Sequence, residues 1–237
     1  MKLLFSVLFC LFGSLCYAQQ SVDVNKTEAS ALSQDFFMVV GDQPFLKAKF
    51  SKLVEGSPYF HDEWMKGELK LNNGNIYSGI YFKLDLLGNE IHYQNKKGEE
   101  MITTIQFEKL ILFDTVMRTG FQFVNAEFIG SDPKPGKGWY EKLTDGNVTL
   151  YKKYIKLLDE DKPYGSATTE QRIKTIVHYY VLHNNSFERI KKLKDLAELL
   201  SDKKDVLLKS IKEKKLSDKE ENDYIYLVNY YNEMAEK

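Results

Sequence analysis

The chain has 237 residues, with 33 lysines and arginines against 34 aspartates and glutamates, and a formal net charge of −1. Hydrophobic residues make up 43% and charged residues 28% of the sequence, which excludes disordered and collagen-like chains. The balanced charge argues against a nucleic-acid partner, because proteins that bind nucleic acid usually carry a basic face.

The first eighteen residues have the pattern of a secretory signal peptide. Lys2 supplies a positive charge, residues 3–12 are almost entirely apolar, and Ala18 precedes the expected cleavage point. The apolar run is too short to cross a bilayer. The alternative is a lipid anchor on Cys16, but Leu15 is bulkier than the small residue that lipid-modifying processing uses. We therefore expect an exported protein that is cleaved after residue 18.

Both cysteines, Cys10 and Cys16, lie inside this leader. After cleavage the chain would hold no disulfide, no thiolate metal ligand and no cysteine nucleophile. Export without disulfides is typical of bacterial envelopes, so the sequence predicts a periplasmic, outer-surface or secreted protein. No later stretch reaches about 18 consecutive apolar residues, and we expect no transmembrane segment after processing.

The spacing of the apolar residues divides the rest of the chain into three parts. Residues 19–35 are polar and predict a flexible lead-in. In residues 36–190, alternating segments are separated by turn sequences such as Asn73-Gly74, which favour β-hairpins. In residues 191–237 the period changes to about 3.6, which predicts helices packed on the sheet. The fold class is therefore expected to be α+β: an antiparallel β meander or small sandwich followed by C-terminal amphipathic helices.

Several stretches of the sequence share a further pattern: GSPYFHDEW (56–64), GELKLNNG (67–74), YFKLDL (81–86), WYEKL (139–143), KDLAELLSDKK (194–204) and YYN (230–232). In these stretches the chain resembles uncharacterised exported proteins of Bacteroidetes-type bacteria, over nearly its whole length after the leader. The resemblance implies a periplasmic or outer-surface protein with a β-rich body and a helical tail. It implies no activity, because that family has no assigned activity.

The densest cluster of reactive side chains contains His61, Glu63 and Trp64. Residues two apart share a face of an extended strand, so His61 and Glu63 have a spacing that two metal ligands use. A third ligand is not visible, and His178 and His183, five residues apart, would lie on opposite faces of a strand. We therefore predict no metal and no other cofactor. The cluster is either a binding site or the polar start of a strand whose Trp64 packs into the core.

Aromatic residues account for 14% of the chain. Exposed rings with polar tips are typical of sugar-binding and protein-binding faces, whereas buried rings are typical of β cores. We take Trp64, Tyr77 and Tyr81, together with His61 and Glu63, as candidate binding residues. No catalytic residue is assigned.

Two functions follow from these observations. The first is a non-enzymatic envelope protein, a binding or structural module whose sheet binds an envelope partner or a glycan. The alternative is a secreted hydrolase that uses a carboxylate pair, which requires two acidic side chains at a defined separation. No Gly-x-Ser-x-Gly motif is present, so a serine hydrolase of that type is not expected. Binding predicts an exposed aromatic patch, and hydrolysis predicts two carboxylates that converge in a pocket.

Overall fold

The computed structural model of the chain describes residues 21–23, 36, 39–41, 43–46 and 49–235. The predicted signal peptide, residues 1–18, lies outside the described residues, as does most of the predicted lead-in. Within the lead-in, Ser21–Asp23 form a short strand.

The chain is α+β. Phe36, Val39 and Val40 are helical, although the sequence predicts only strands in residues 36–190, and the other described α-helices follow the last strand. The strands are β1 Ser21–Asp23, β2 Gln43–Pro44, β3 Ser51–Glu55, β4 Met65–Leu71, β5 Ile76–Asp85, β6 Glu90–Gln94, β7 Glu100–Ile102, β8 Phe107–Asp114, β9 Thr119–Asn125, β10 Trp139–Lys142, β11 Val148–Asp161, β12 Thr169–His183 and β13 Ser186–Ile190. The helices that follow are α1 Leu193–Leu199, α2 Lys204–Glu213 and α3 Glu221–Ala235.

The thirteen strands found in the described residues join one sheet, whose main order is β13-β12-β11-β10-β9-β8-β4-β5-β6-β7-β2. Strands β8 to β13 and strands β4 to β7 are two runs of antiparallel neighbours, joined where β4 pairs with β8. Two pairings are parallel: β1 with β5, and β3 with β12. The sheet is therefore mixed, which corrects the wholly antiparallel prediction. Parallel neighbours need long connections, and hairpin signals in the sequence report only local, antiparallel pairs.

A bulge in β5 decides which side chains face the core. Gly67 of β4 lies opposite Ile80, whereas the next residue, Glu68, lies opposite Ser78, so Gly79 adds one residue to β5. Gly79 has a φ of 81°, a left-handed conformation that a residue without a Cβ adopts at little cost. A one-residue insertion reverses the faces of the strand on its two sides.

The first core lies on the inner face of strands β4 to β9. Its buried side chains are Phe36, Val40, Met65, Leu69, Leu71, Tyr77, Ile80, Phe82, Leu84, Leu86, Ile91, Tyr93, Met101, Phe107, Leu110, Leu112, Phe123 and Trp139. We call the opposite side of β4, β5, β6 and β8 the outer face. Along β5 beyond the bulge, side chains alternate between the two, with Phe82 and Leu84 inside and Tyr81 outside.

The second core lies between strands β11 to β13 and the three helices. Val148, Leu150 and Val181 of the sheet are buried in one cluster with Leu196, Leu207, Leu227 and other helix residues. At the start of α1, the Asp195 carboxylate accepts the backbone N–H groups of Lys191 and Lys192 at 2.9 and 3.0 Å. In the part of the chain that the structure describes, every helix is too short or too polar to cross a lipid bilayer.

Candidate functional site

Four of the five predicted binding residues line one cleft on the outer face of the sheet. They are His61, Glu63 and Trp64, from the segment before β4, and Tyr81 of β5. The cleft has a volume of about 370 Å³, and its far wall is the end of β8 and the following turn, residues 113–116. We call this the aromatic cleft.

The register of β4 with β5 and with β8 determines which side chains form the floor of the aromatic cleft. Lys66 of β4 lies opposite Tyr81 on one side and opposite Phe113 of β8 on the other. Directly opposite residues in neighbouring strands present their side chains to the same face. The three side chains therefore form a row across three strands, and the two rings are 40% and 39% exposed.

Two lysines place their ammonium groups near the rings of this face. The Lys66 Nζ lies 5.8 Å from the centre of the Tyr81 ring. The Lys83 Nζ lies 5.0 Å from the centres of both the Trp64 ring and the Tyr59 ring. Cations at such distances are attracted to the ring faces. Lys83 thus fixes Trp64 at one edge of the cleft.

Two carboxylates also line the aromatic cleft, Glu63 and Asp114. The Asp114 Oδ1 accepts the backbone N–H groups of Val116 and Met117, both at 2.8 Å. This carboxylate therefore closes the turn between β8 and β9. Glu63 is exposed, and its position is set by an irregular segment rather than by a strand.

Tyr77 does not join the aromatic cleft, which corrects its prediction as a binding residue. It is 5% exposed and packs in the first core, with its ring centre 5.0 Å from that of Phe36. The period of two along a regular strand would place Tyr77 and Tyr81 on one face. The bulge at Gly79 lies between them and puts them on opposite faces.

A second, larger cavity of about 580 Å³ lies next to the aromatic cleft. Its polar lining includes Tyr59, Asp62, Lys83, Asp85 and Glu100, and we call it the acidic cavity. The Tyr59 hydroxyl lies close to the Glu100 carboxylate. Burial, together with the charges of Glu100 and Asp85, raises the pKa of Tyr59 above its ordinary value, so the phenol stays protonated at neutral pH.

Beside the acidic cavity, Asp85, Glu90 and His92 form a group whose candidate ligand atoms all lie within 4.8 Å of one another. Sequence reasoning selected none of these three residues as a candidate. The spacing that selected His61 and Glu63, two residues apart, also holds for Glu90 and His92. Asp85 joins them because the β5–β6 hairpin places it opposite Glu90.

Comparison with known proteins found no family model, no curated protein and no solved structure that matches the chain. The resemblance to exported proteins of Bacteroidetes-type bacteria stays a prediction. Function is therefore argued from the geometry of these two neighbouring sites.

Proposed function

We propose that this protein is a non-enzymatic binding module of the bacterial envelope that binds a glycan in the aromatic cleft. The observation that carries the proposal is the convergence of Trp64, Tyr81 and Phe113 with polar side chains around one cleft. Its volume falls within the roughly 300–1,000 Å³ of small-ligand sites. One or two sugar rings fit such a space.

The chemistry of the lining favours a sugar over an apolar ligand. Aromatic rings stack on the C–H faces of sugars, while the hydroxyl groups around the sugar ring need hydrogen-bond partners. His61, Glu63 and Lys66 supply donors and acceptors at the rim. An apolar ligand would leave these polar groups without partners.

Hydrolysis is the alternative, because Glu63 and Asp114 both line the aromatic cleft. A carboxylate pair of a glycosidase needs one acid that protonates the leaving group and one carboxylate that acts as base or nucleophile. Asp114 has one oxygen committed to two backbone N–H groups of its own turn. We therefore favour binding without bond cleavage.

The test is a glycan-binding screen with purified protein, followed by calorimetric titration of the best oligosaccharide. We expect Trp64→Ala and Tyr81→Ala each to weaken binding by about 5- to 150-fold, since stacking of a ligand ring on an aromatic side chain contributes on the order of 1–3 kcal/mol. Tyr164→Ala is the matched control, because Tyr164 is a fully exposed tyrosine outside the cleft.

Three outcomes would contradict this function. One is that no glycan binds, and another is that binding is the same in Trp64→Ala as in the control. The third is the release of new reducing ends from the bound oligosaccharide, provided that Glu63→Gln abolishes it. That result would establish the hydrolase instead.

Two further expectations belong to this proposal. We infer that residues 1–18 are a cleaved leader and that the protein works in the periplasm, on the outer surface or in the medium. N-terminal sequencing of protein from cell fractions tests this. We also infer that the fold is two meanders within one sheet rather than a sandwich. Strands β4 to β7 and β8 to β13 each pair in chain order, and the pairing of β4 with β8 joins the two runs edge to edge.

A further inference from the structure

A buried histidine of β6 has one ring nitrogen in an unusual position. His92 is 0% exposed, and its Nδ1 donates to the Glu100 carboxylate at 2.7 Å. Its Nε2 is buried and has no hydrogen-bond partner among the described residues. Buried polar atoms are nearly always satisfied, so an orphaned one indicates that a ligand or ion belongs beside it.

Two carboxylates face this nitrogen. The Glu90 Oε2 lies 3.7 Å from His92 Nε2, and Asp85 contributes an oxygen within 4.8 Å of both. The Asp85 Oδ1 accepts the backbone N–H groups of Leu87 and Gly88 at 2.8 and 2.7 Å, so Oδ2 is the oxygen that it can offer to an ion.

The atoms that meet here are all acceptors when the imidazole is neutral. Because Nδ1 carries the proton that it donates to Glu100, Nε2 presents a lone pair to the oxygens of Glu90 and Asp85. A proton on Nε2 would not make a good bond to Glu90, since 3.7 Å is too long for an N–H···O hydrogen bond. A positive ion between these atoms would satisfy all of them.

No direct ion pair meets this demand, although Lys156 is close enough to Asp85 for the two charges to attract each other. In the part of the chain that the structure describes, no lysine or arginine forms an ion pair with Asp85, Glu90 or Glu100. Lys83 lies on the same face, opposite His92, but its ammonium lies near the rings of Tyr59 and Trp64. Three carboxylates therefore share the neighbourhood of one imidazole.

We propose that Asp85, Glu90 and His92 bind a divalent transition-metal ion, with Glu100 as the positioning residue that orients His92. In a tetrahedral zinc site with bonds of about 2.0–2.1 Å, ligand atoms are about 3.3 Å apart. The observed 3.7 Å between Glu90 Oε2 and His92 Nε2 approaches that spacing. A metal-bound histidine characteristically donates its other N–H to a carboxylate, as His92 does to Glu100.

The donor set favours one class of metal. An imidazole nitrogen suits Zn²⁺ and its transition-metal neighbours, whereas Ca²⁺ and Mg²⁺ prefer oxygen ligands alone. Three protein ligands leave a fourth position free. Asp85 and Glu100 line the acidic cavity, so the proposed site lies beside a space large enough for a small ligand.

This site is separate from the aromatic cleft, since Asp85, Glu90 and His92 do not line the cleft. The predicted absence of a metal followed from His61 and Glu63, which lack a third ligand in the sequence. The proposed ion therefore binds to residues other than His61 and Glu63.

The test is titration of the purified, metal-free full chain with Zn²⁺, measured by calorimetry and by competition with a chromogenic chelator. We expect one tightly bound equivalent and a rise in melting temperature with Zn²⁺. Glu90→Gln is the first variant, because the side chain of Glu90 is 47% exposed and its loss does not disturb the core. We expect it to weaken Zn²⁺ binding by more than about 100-fold, and Glu100→Gln by about 10- to 100-fold.

Glu99→Gln is the matched control, since Glu99 is an exposed glutamate next to Glu100 and outside the ligand group. It should bind Zn²⁺ like the unaltered chain. His92→Gln should abolish binding. If that variant fails to fold, the visible absorption of bound Co²⁺ in the unaltered chain and its loss in Glu90→Gln decide instead. Binding that is absent, or that Glu90→Gln leaves unchanged, overturns the proposal.

Discussion

Asn232 of α3 and Val148 of β11 exchange two hydrogen bonds across 84 residues of sequence. The Val148 N–H donates to Asn232 Oδ1 at 2.9 Å, and Asn232 Nδ2 donates to the Val148 carbonyl at 2.9 Å. The same amide also donates to the Asp145 carbonyl at 3.1 Å. A single side chain therefore joins the last helix to the β10–β11 turn, in the way that a neighbouring strand would.

We expect Asn232→Ala to destabilise the protein by about 2–3 kcal/mol, because it leaves buried backbone groups of Val148 without partners. Urea unfolding followed by circular dichroism measures the loss. Asn229→Ala is the control, since Asn229 is an exposed asparagine on the same helix, and it should change the free energy of unfolding by less than about 0.5 kcal/mol. Equal effects of the two variants would mean that the paired bonds contribute nothing.

Gly146 lies directly under Asn232. Its φ is 132°, and a Cβ there would come within 2.7 Å of Asn232 Nδ2 and 2.8 Å of its Cγ. We expect Gly146→Ala to cost about 2–4 kcal/mol from backbone strain and the clash together. Gly130→Ala, where a Cβ would meet nothing within 4 Å, is the control. In an Asn232→Ala background the cost should fall, because the clash is gone; strictly additive effects would contradict this contact.

Glu141 of β10 is a buried acid, and its burial disfavours the charged form of the side chain. It is 6% exposed, and burial raises its pKa above the ordinary value of 4.5, although the Tyr154 hydroxyl at 2.7 Å and Lys152 act in the opposite direction. The folded state thus binds the proton more tightly than the unfolded state. Stability must fall as the pH rises from 4.5 through the folded-state pKa, and it levels off above that pKa.

Glu141→Gln removes this titration and keeps an acceptor for Tyr154. We expect the variant to gain stability relative to the unaltered chain as the pH rises from about 4.5, with the difference constant once Glu141 is ionised in both states. Denaturant midpoints measured from pH 4 to pH 8 test it. Glu188→Gln, at an exposed position of β13, serves as control. A difference that shrinks with rising pH would show that the pKa is lowered instead.

Because the bulge at Gly79 puts two tyrosines of β5 on opposite faces, we expect their substitution to have different effects on stability. Tyr77→Ala should cost about 3–5 kcal/mol, because it leaves a large cavity in the first core. Tyr81→Ala should cost less than about 1 kcal/mol, because the ring is 40% exposed. Thermal and urea unfolding of both variants test the assignment. Similar losses at the two positions would mean that both rings share the core face.

Much of the fold follows from local signals. The turn at Asn73-Gly74 and the strands around it are where the Asn-Gly pair and the flanking alternation predict them. The change of period near residue 191 marks the start of the C-terminal helices, since α1 begins at Leu193. These features depend on neighbours in sequence, which is why the sequence alone predicts them.

The features that sequence reasoning missed depend on distant or exceptional contacts. The parallel pairing of β3 with β12 joins segments more than a hundred residues apart, and no local pattern specifies it. Tyr77 was misplaced because a glycine inside an alternating segment did not reveal its left-handed φ. His92 was overlooked because its partners Asp85 and Glu100 come from two other strands, and only the folded register brings them together.

The pairing of β4 with β8 has a consequence for the order in which the chain folds. Leu71 at the end of β4 lies opposite Phe107 at the start of β8. The segment between these two points contains β5, β6 and β7, and its two ends are adjacent in the folded chain. Bringing those points together costs more chain entropy than closing any of the hairpins within the segment. The hairpins should therefore form early, and β8 should dock against β4 after them.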